Sequence, residues 1–135
     1  MVAITHVRVR YAETDTMGIV YYANYLVYME VGRVEFLRQH GHPMSDINTK
    51  IHLPVVEVTV KYLRAAKLDD LLEVRCWTSE KRRASFTFSY EVRNESGEVV
   101  ATGETRHACC DPTTGKTVAL PDWLGALMEV ETGTR

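Results

Sequence analysis

Residues 20–40 read Val-Tyr-Tyr-Ala-Asn-Tyr-Leu-Val-Tyr-Met-Glu-Val-Gly-Arg-Val-Glu-Phe-Leu-Arg-Gln-His, with no proline to interrupt them. Leu26, Met29, Arg33, Phe36 and Leu37 recur at helical spacing, and Gly41 and Pro43 supply stop signals, so the stretch predicts one long helix. Tyr25, Val27, Tyr28, Val31 and Val34 fall outside that stripe and leave only Glu30, Glu35 and Arg38 as a thin polar face. A helix apolar nearly all round is a buried helix, and something must surround it.

The flanking chain supplies a sheet. Upstream, residues 5–11 alternate Val7, Val9 and Tyr11 with His6, Arg8 and Arg10, a strand pattern. Downstream, Val56, Val58, Val60 and Tyr62 alternate with Glu57, Thr59 and Lys61, a half-buried strand with Pro54 near its start. A turn at residues 67–70 leads to Leu72, Val74 and Cys76. Past the basic corner Lys81-Arg82-Arg83, Ala84, Phe86, Phe88, Tyr90 and Val92 alternate with polar residues in the cleanest strand pattern of the chain. Residues 94–97, Asn-Glu-Ser-Gly, mark a hairpin into a strand from Val99 to about Cys110. Residues 111–115 then turn into a short segment at 117–120, and Pro121 opens a short C-terminal helix. One helix followed by a run of hairpin-linked strands indicates an α+β fold with an antiparallel sheet.

The 135 residues have room for one domain, read here as 1–135 with residues 131–135 a loose tail. At 45% hydrophobic and 25% charged residues the chain can build a core, and no stretch approaches the ~18 apolar residues of a membrane span. The 16 Lys and Arg against 18 Asp and Glu exclude a nucleic-acid binder that works through a global basic field. Cys76, Cys109 and Cys110 are odd in number and lack metal-ligand spacing, which suggests reduced core thiols and no metal site; the alternating pattern of residues 1–11 and the lack of a membrane-span stretch make the cytoplasm the expected address. His6, His40, His42, His52 and His107 are scattered and receive no catalytic role.

Between the first strand and the helix, residues 13–18 read Glu-Thr-Asp-Thr-Met-Gly. A helix start offers unpaired N–H groups and the positive end of a dipole, suited to an anion or a polarised carbonyl. Asp15 beside it is placed either to cap the helix or to act on a ligand there, and Gly18 either makes a turn or admits a ligand to the backbone. Spacing alone leaves both open. Glu13, two residues earlier, either shares a face with Asp15 and couples to it or is a solvated carboxylate, the reading favoured for a glutamate.

Residues 15–25, Asp-Thr-Met-Gly-Ile-Val-Tyr-Tyr-Ala-Asn-Tyr, followed by Tyr28-Met29-Glu30, resemble the signature Asp-x-x-Gly-x-Val-(Tyr/Trp)-(Tyr/His)-x-x-Tyr of the 4-hydroxybenzoyl-CoA thioesterase-like hotdog family, which includes the Tol–Pal-associated acyl-CoA thioesterases. The resemblance extends through Tyr62-Leu63-Arg64-Ala65-Ala66, the Arg82-Arg83 corner and residues 111–121. It implies a hotdog fold, in which about five antiparallel strands wrap the long helix, and hydrolysis of acyl-CoA thioesters. In the family, the position of Asp15 is the catalytic carboxylate, and the backbone N–H at the position of Tyr22 polarises the thioester carbonyl beside Gly18. Tyr21, Tyr25, Val58 and Val60 would border the acyl group, and Arg82, Arg83 and Arg64 would hold the phosphates of coenzyme A. Coenzyme A is then part of the substrate, and no separate cofactor is implied. Homo-oligomers, dimers or dimers of dimers, are expected, with sites formed between subunits. Where the Tol–Pal subgroup commonly has histidine, this chain has Tyr22, so a role that needs imidazole is unavailable there while the backbone N–H persists. Ala65 replaces a common proline. Two other readings differ in what they require. A hydratase or dehydratase of acyl thioesters would pair a carboxylate with a histidine, and residues 15–25 contain none. A non-catalytic acyl-CoA-binding module would release no thiol.

Overall fold

The computed structural model describes residues 1–130; the tail expected at 131–135 lies outside the described residues. Strand β1 (Ala3–Arg8) leads through a 3-10 turn (Tyr11–Glu13) and a tight hairpin into helix α1 (Asn24–Gln39). After a short helix α2 (Met44–Ile47) come β2 (Val55–Tyr62), β3 (Leu71–Lys81), β4 (Ser85–Arg93) and β5 (Val99–Ala108), then helix α3 (Asp122–Leu127). The strands form one antiparallel sheet in the order β1-β3-β4-β5-β2, so the strand before the helix and the strand after it are the two edges.

Helix α1 lies across the face of the sheet made by Leu72, Val74, Cys76, Phe88 and Tyr90. It buries Tyr25, Tyr28, Met29, Phe36 and Leu37, each worth about 1.5–3 kcal/mol of transfer free energy. Close approach is possible because Gly32 faces β3: a Cβ there would stand 2.7 Å from Val74 Cγ1. On β5, Gly103 likewise makes room for Met29. Under the helix a buried polar chain runs from the Tyr90 hydroxyl through Thr105 Oγ1 (2.6 Å) to His107 Nε2 (2.8 Å), with His107 Nδ1 3.0 Å from the Leu53 carbonyl. Burial, with the Arg33 charge adding to it, outweighs the Leu53 contact and pushes the His107 imidazole down to about 4.

Several expectations are corrected by these elements. The helix begins at Asn24, four residues later than residues 20–40 suggested, because Val20 is bridged to Thr14 in a hairpin and bonds the Ala66 carbonyl. It is not enclosed all round, since Leu26, Val27 and Val31 are exposed on the side the sheet does not reach. Strand β2 is not half-buried; it is an edge that α1 does not cover, and Val55, Val56, Val58 and Tyr62 are exposed. Pro121 is the N-cap of α3 and not its first helical residue, and the short segment 117–120 joins the fold through the isolated bridge of Thr117 to Cys110.

Candidate active site

The stretch from Arg10 to Tyr25 builds the site. A 3-10 turn closes on Glu13, whose N–H donates to the Arg10 carbonyl (2.9 Å). The chain then forms a small hairpin: Asp15 N–H bonds the Ile19 carbonyl (2.9 Å), Gly18 N–H bonds the Asp15 carbonyl (3.0 Å), and Thr14 bridges Val20. Gly18 sits at φ +79°, the left-handed conformation such a turn needs at its exit. Asp15 is partly buried, and its Oδ1 accepts the Met17 N–H (2.8 Å). It caps the hairpin turn; the helix N-cap is Ala23, which makes no side-chain capping bond.

The returning arm leads to the helix start. Tyr21 N–H bonds the Glu13 carbonyl (2.9 Å), Asn24 N–H the Tyr21 carbonyl (2.9 Å), and Tyr25 N–H the Tyr22 carbonyl (3.4 Å). Among the described residues the N–H groups of Tyr22 and Ala23 have no acceptor. They precede the first helical residue, where the aligned helical peptides concentrate partial positive charge. The Tyr62 hydroxyl donates to the Tyr22 carbonyl (3.1 Å) and ties this terminus to the end of β2.

Beside it is an apolar cleft of about 360 Å³ lined by Tyr22, Tyr25, Tyr62, Leu63 and Arg64, with Ile19 and Val20 at its floor. It adjoins, through Arg64 and Ala65, a polar hollow of about 470 Å³ bordered by Lys67 and Asn94. Arg64 itself pairs with Glu98 at 3.4 Å. The larger hollow, about 630 Å³, is on the face of the sheet turned away from α1 and is lined by Glu57, Glu80, Glu104, Arg82 and Arg106. Its acidic walls suit a phosphate ester or an acyl chain less well than the cleft at the helix start. Among the described residues no group of three His, Cys, Asp or Glu side chains is arranged to hold a metal ion.

The candidate residues do not all converge. Asp15, Gly18, Tyr21, Tyr22 and Tyr25 are together, although Tyr25 is buried beneath Tyr62. Val58 and Val60 lie on the helix-facing side of β2, opposite Thr105 and Gly103. Arg82 and Arg83 are at the other end of the sheet: Lys81 pairs with Phe86, Phe86 with His107 and His107 with Val55, the start of β2, whereas Tyr22 is at its finish. Along the eight residues of β2 that separation is about 25 Å.

Glu13 corrects the reading of a solvated carboxylate. It is 7% exposed, and it accepts the Arg10 N–H (3.0 Å), Arg10 Nε (2.7 Å) and the Tyr28 hydroxyl (2.8 Å). Burial pushes its carboxyl up, but these bonds and the Arg10 charge outweigh burial and hold it below the usual glutamate range. Burial and the same contact push the Tyr28 phenol well up. Tyr28 is a second residue that spacing did not mark, as is Tyr62.

A five-stranded antiparallel sheet packed against one long helix matches the hotdog arrangement that the resemblance implies. The model of the "Thioesterase-like superfamily" matches residues 9–128. The chain is 36% identical over 122 residues to the Bacillus subtilis protein YneP (87% of this chain, 88% of YneP). It is 34% identical over 116 residues to an Escherichia coli protein named acyl-CoA thioester hydrolase YbgC (85% and 87%). Among solved structures, the DHNA-CoA thioesterase of Staphylococcus aureus superposes with a TM-score of 0.87 at 32% identity, covering 93% of this chain and 87% of that one. The chain belongs to the thioesterase-like superfamily.

Proposed function

We propose that the protein hydrolyses acyl-CoA thioesters to the free acid and coenzyme A, with Asp15 as the catalytic carboxylate and the Tyr22 N–H as carbonyl donor. One observation carries this reading: an N–H without an acceptor stands just before α1, in the same bonded frame as a partly buried carboxylate. Attack on a thioester carbonyl puts negative charge on its oxygen, so a donor fixed beforehand stabilises the transition state more than the ground state. The thiolate leaves without a strong acid. Asp15 Oδ1 is committed to Met17, which leaves Oδ2 for chemistry. Two routes balance. In one, Oδ2 attacks the carbonyl carbon, the C–S bond breaks, and water hydrolyses the resulting anhydride; in the other, Asp15 takes a proton from water as the water attacks, the C–S bond then breaks, and the proton passes to the departing thiolate or to solvent.

The cleft beside Tyr22 fits the acyl or pantetheine part of the substrate, with Tyr21 and Tyr25 at the helix start and Val58 and Val60 on β2 as further apolar contacts. The phosphates need cations, and Arg64 stands beside the cleft, with Lys67 bordering the adjoining hollow. Arg82 and Arg83 would reach them from a second copy. If two β2 edges pair antiparallel, the start of one strand meets the finish of the other, which brings the Arg82-Arg83 corner of one copy to the Asp15 end of its mate. The exposed Val55, Val56 and Val58 of β2, with Leu26, Val27 and Val31 of α1, are the apolar surface such a dimer would cover. Thiol release from a panel of short, medium, long and aromatic acyl-CoAs tests the activity; absence of release from every member would leave only binding. Label in the Asp15 carboxylate after a single turnover in H₂¹⁸O would establish the anhydride route, since ¹⁸O reaches it only if the anhydride forms and water attacks its Asp15 carbonyl.

A further inference from the structure

Glu13 is two residues from Asp15 and is not itself directed at the apolar cleft; its carboxylate is turned inward, where an ionised group is costly to keep unless its partners repay the lost hydration. Its bonds reach all the parts that frame the site. The carboxylate takes both the N–H and the guanidinium of Arg10, which closes the turn before the hairpin. It takes the hydroxyl of Tyr28, which opens the second turn of α1 and is 2% exposed. Its own carbonyl accepts the Tyr21 N–H and Asn24 Nδ2, each at 2.9 Å, at the root of the returning arm. Asp15 hangs from one side of this knot and the Tyr22 N–H from the other. Arg10 is largely exposed, so the charge pair contributes little by itself; the buried bond to Tyr28 is what ties the hairpin to the helix.

We propose that Glu13 is a positioning residue: through Tyr28, Arg10 and the Tyr21–Asn24 arm it fixes the Asp15 carboxylate relative to the Tyr22 N–H. This rests on the reading that those two groups do the chemistry. Displacing a reacting group by about 1 Å costs on the order of 100-fold in rate, so loss of the clamp is expected in kcat and not in KM, because the groups that grip coenzyme A are elsewhere. In Glu13→Gln the amide nitrogen meets an Arg10 donor in either orientation, the backbone N–H at the Oε1 position or Nε at the Oε2 position. In Tyr28→Phe the ring still fills its place and only the hydroxyl is lost.

The test is a double-mutant cycle on thiol release, with kcat and KM measured for wild type, Glu13→Gln, Tyr28→Phe, Asp15→Asn and the two double variants, and thermal unfolding to establish that each is folded at the assay temperature. The expected result is a kcat lowered about 10- to 100-fold in Glu13→Gln and about 5-fold or more in Tyr28→Phe, with KM within about threefold. On an Asp15→Asn background, neither second change should alter the residual rate by more than about twofold, because there is no carboxylate left to position. A merely structural role would scale the residual rate by the same factor in both backgrounds. Wild-type kcat in Glu13→Gln and Tyr28→Phe, an effect confined to KM, or equal factors in both backgrounds would overturn the clamp while leaving Asp15 in place. Wild-type turnover by Asp15→Asn would overturn the reading beneath it and the clamp together.

Discussion

Replacing Gly32 by alanine adds one methyl at the closest point between α1 and the sheet. That Cβ would stand 2.7 Å from Val74 Cγ1, while Cys76 Cβ at 3.7 Å and Tyr90 Cδ1 at 3.8 Å are at ordinary contact distance. Val74 is fully buried and β-branched, so its methyl has no vacant rotamer to turn into, and either the helix lifts from β3 or the strand bows. Overpacking of this kind costs about 1–3 kcal/mol, and the better helix propensity of alanine returns about 1 kcal/mol. From the middle of that range the net loss is about 1 kcal/mol, a fall in Tm of roughly 3–4 °C for a chain of this size. The assay is urea and thermal unfolding at one fixed protein concentration, with two companions. Gly125→Ala in α3 has nothing within 4 Å of the new Cβ and is expected to be neutral or stabilising. Val74→Ala is expected to cost at least about 1 kcal/mol less on the Gly32→Ala background than in wild type, because it removes the obstructing methyl. A Gly32→Ala protein as stable as wild type, or no coupling to Val74, would refute the account of how the helix seats on the sheet.

Three further outcomes follow from the same structure. The unfolded chain protonates His107 near pH 6.5 while the native chain resists until about pH 4, so the native state loses stability as pH falls through that window, by about 2 kcal/mol between pH 7.5 and 5; His107→Gln should flatten this slope, and an identical pH dependence in both proteins would refute it. Val58→Lys places a charge on the exposed edge and is expected to shift sedimentation toward the monomer with loss of thiol release, whereas an unchanged assembly would exclude β2 as the contact. Arg82→Ala with Arg83→Ala should raise KM about 10-fold or more for acyl-CoA and leave an acyl-pantetheine substrate without the nucleotide unaffected; an equal rise for both would remove phosphate binding as their role.

The strands and the helix were legible because periodicity is a local property: Phe86, Phe88 and Tyr90 point one way whatever pairs with them. What was illegible depended on distant partners. Val56, Val58 and Val60 alternate like any half-buried strand, and only the order of strands reveals that β2 is an edge the helix does not cover. Val20 to Tyr22 are as apolar as the helix they precede, but Val20 is claimed by Ala66 in a bond no spacing announces. Asp15, Gly18 and the Tyr22 N–H stood out only through the resemblance; the fold holds them in one bonded frame before α1. Glu13 did not, because its burial depends on Tyr28, fifteen residues further on. Nor did the separation of Arg82 and Arg83 from Asp15 show in a sequence where basic corner and carboxylate carry no distance between them.

The account is tested most directly by the steady-state rate of thiol release from the best acyl-CoA of the panel, measured for wild type, Asp15→Asn and Asp15→Ala at matched folded concentration. It requires a fall in kcat of about 100-fold or more in both variants with near-wild-type unfolding temperatures, since among the described residues the Asp15 side chain makes only the Met17 turn bond. Turnover at the wild-type rate in either variant would contradict it.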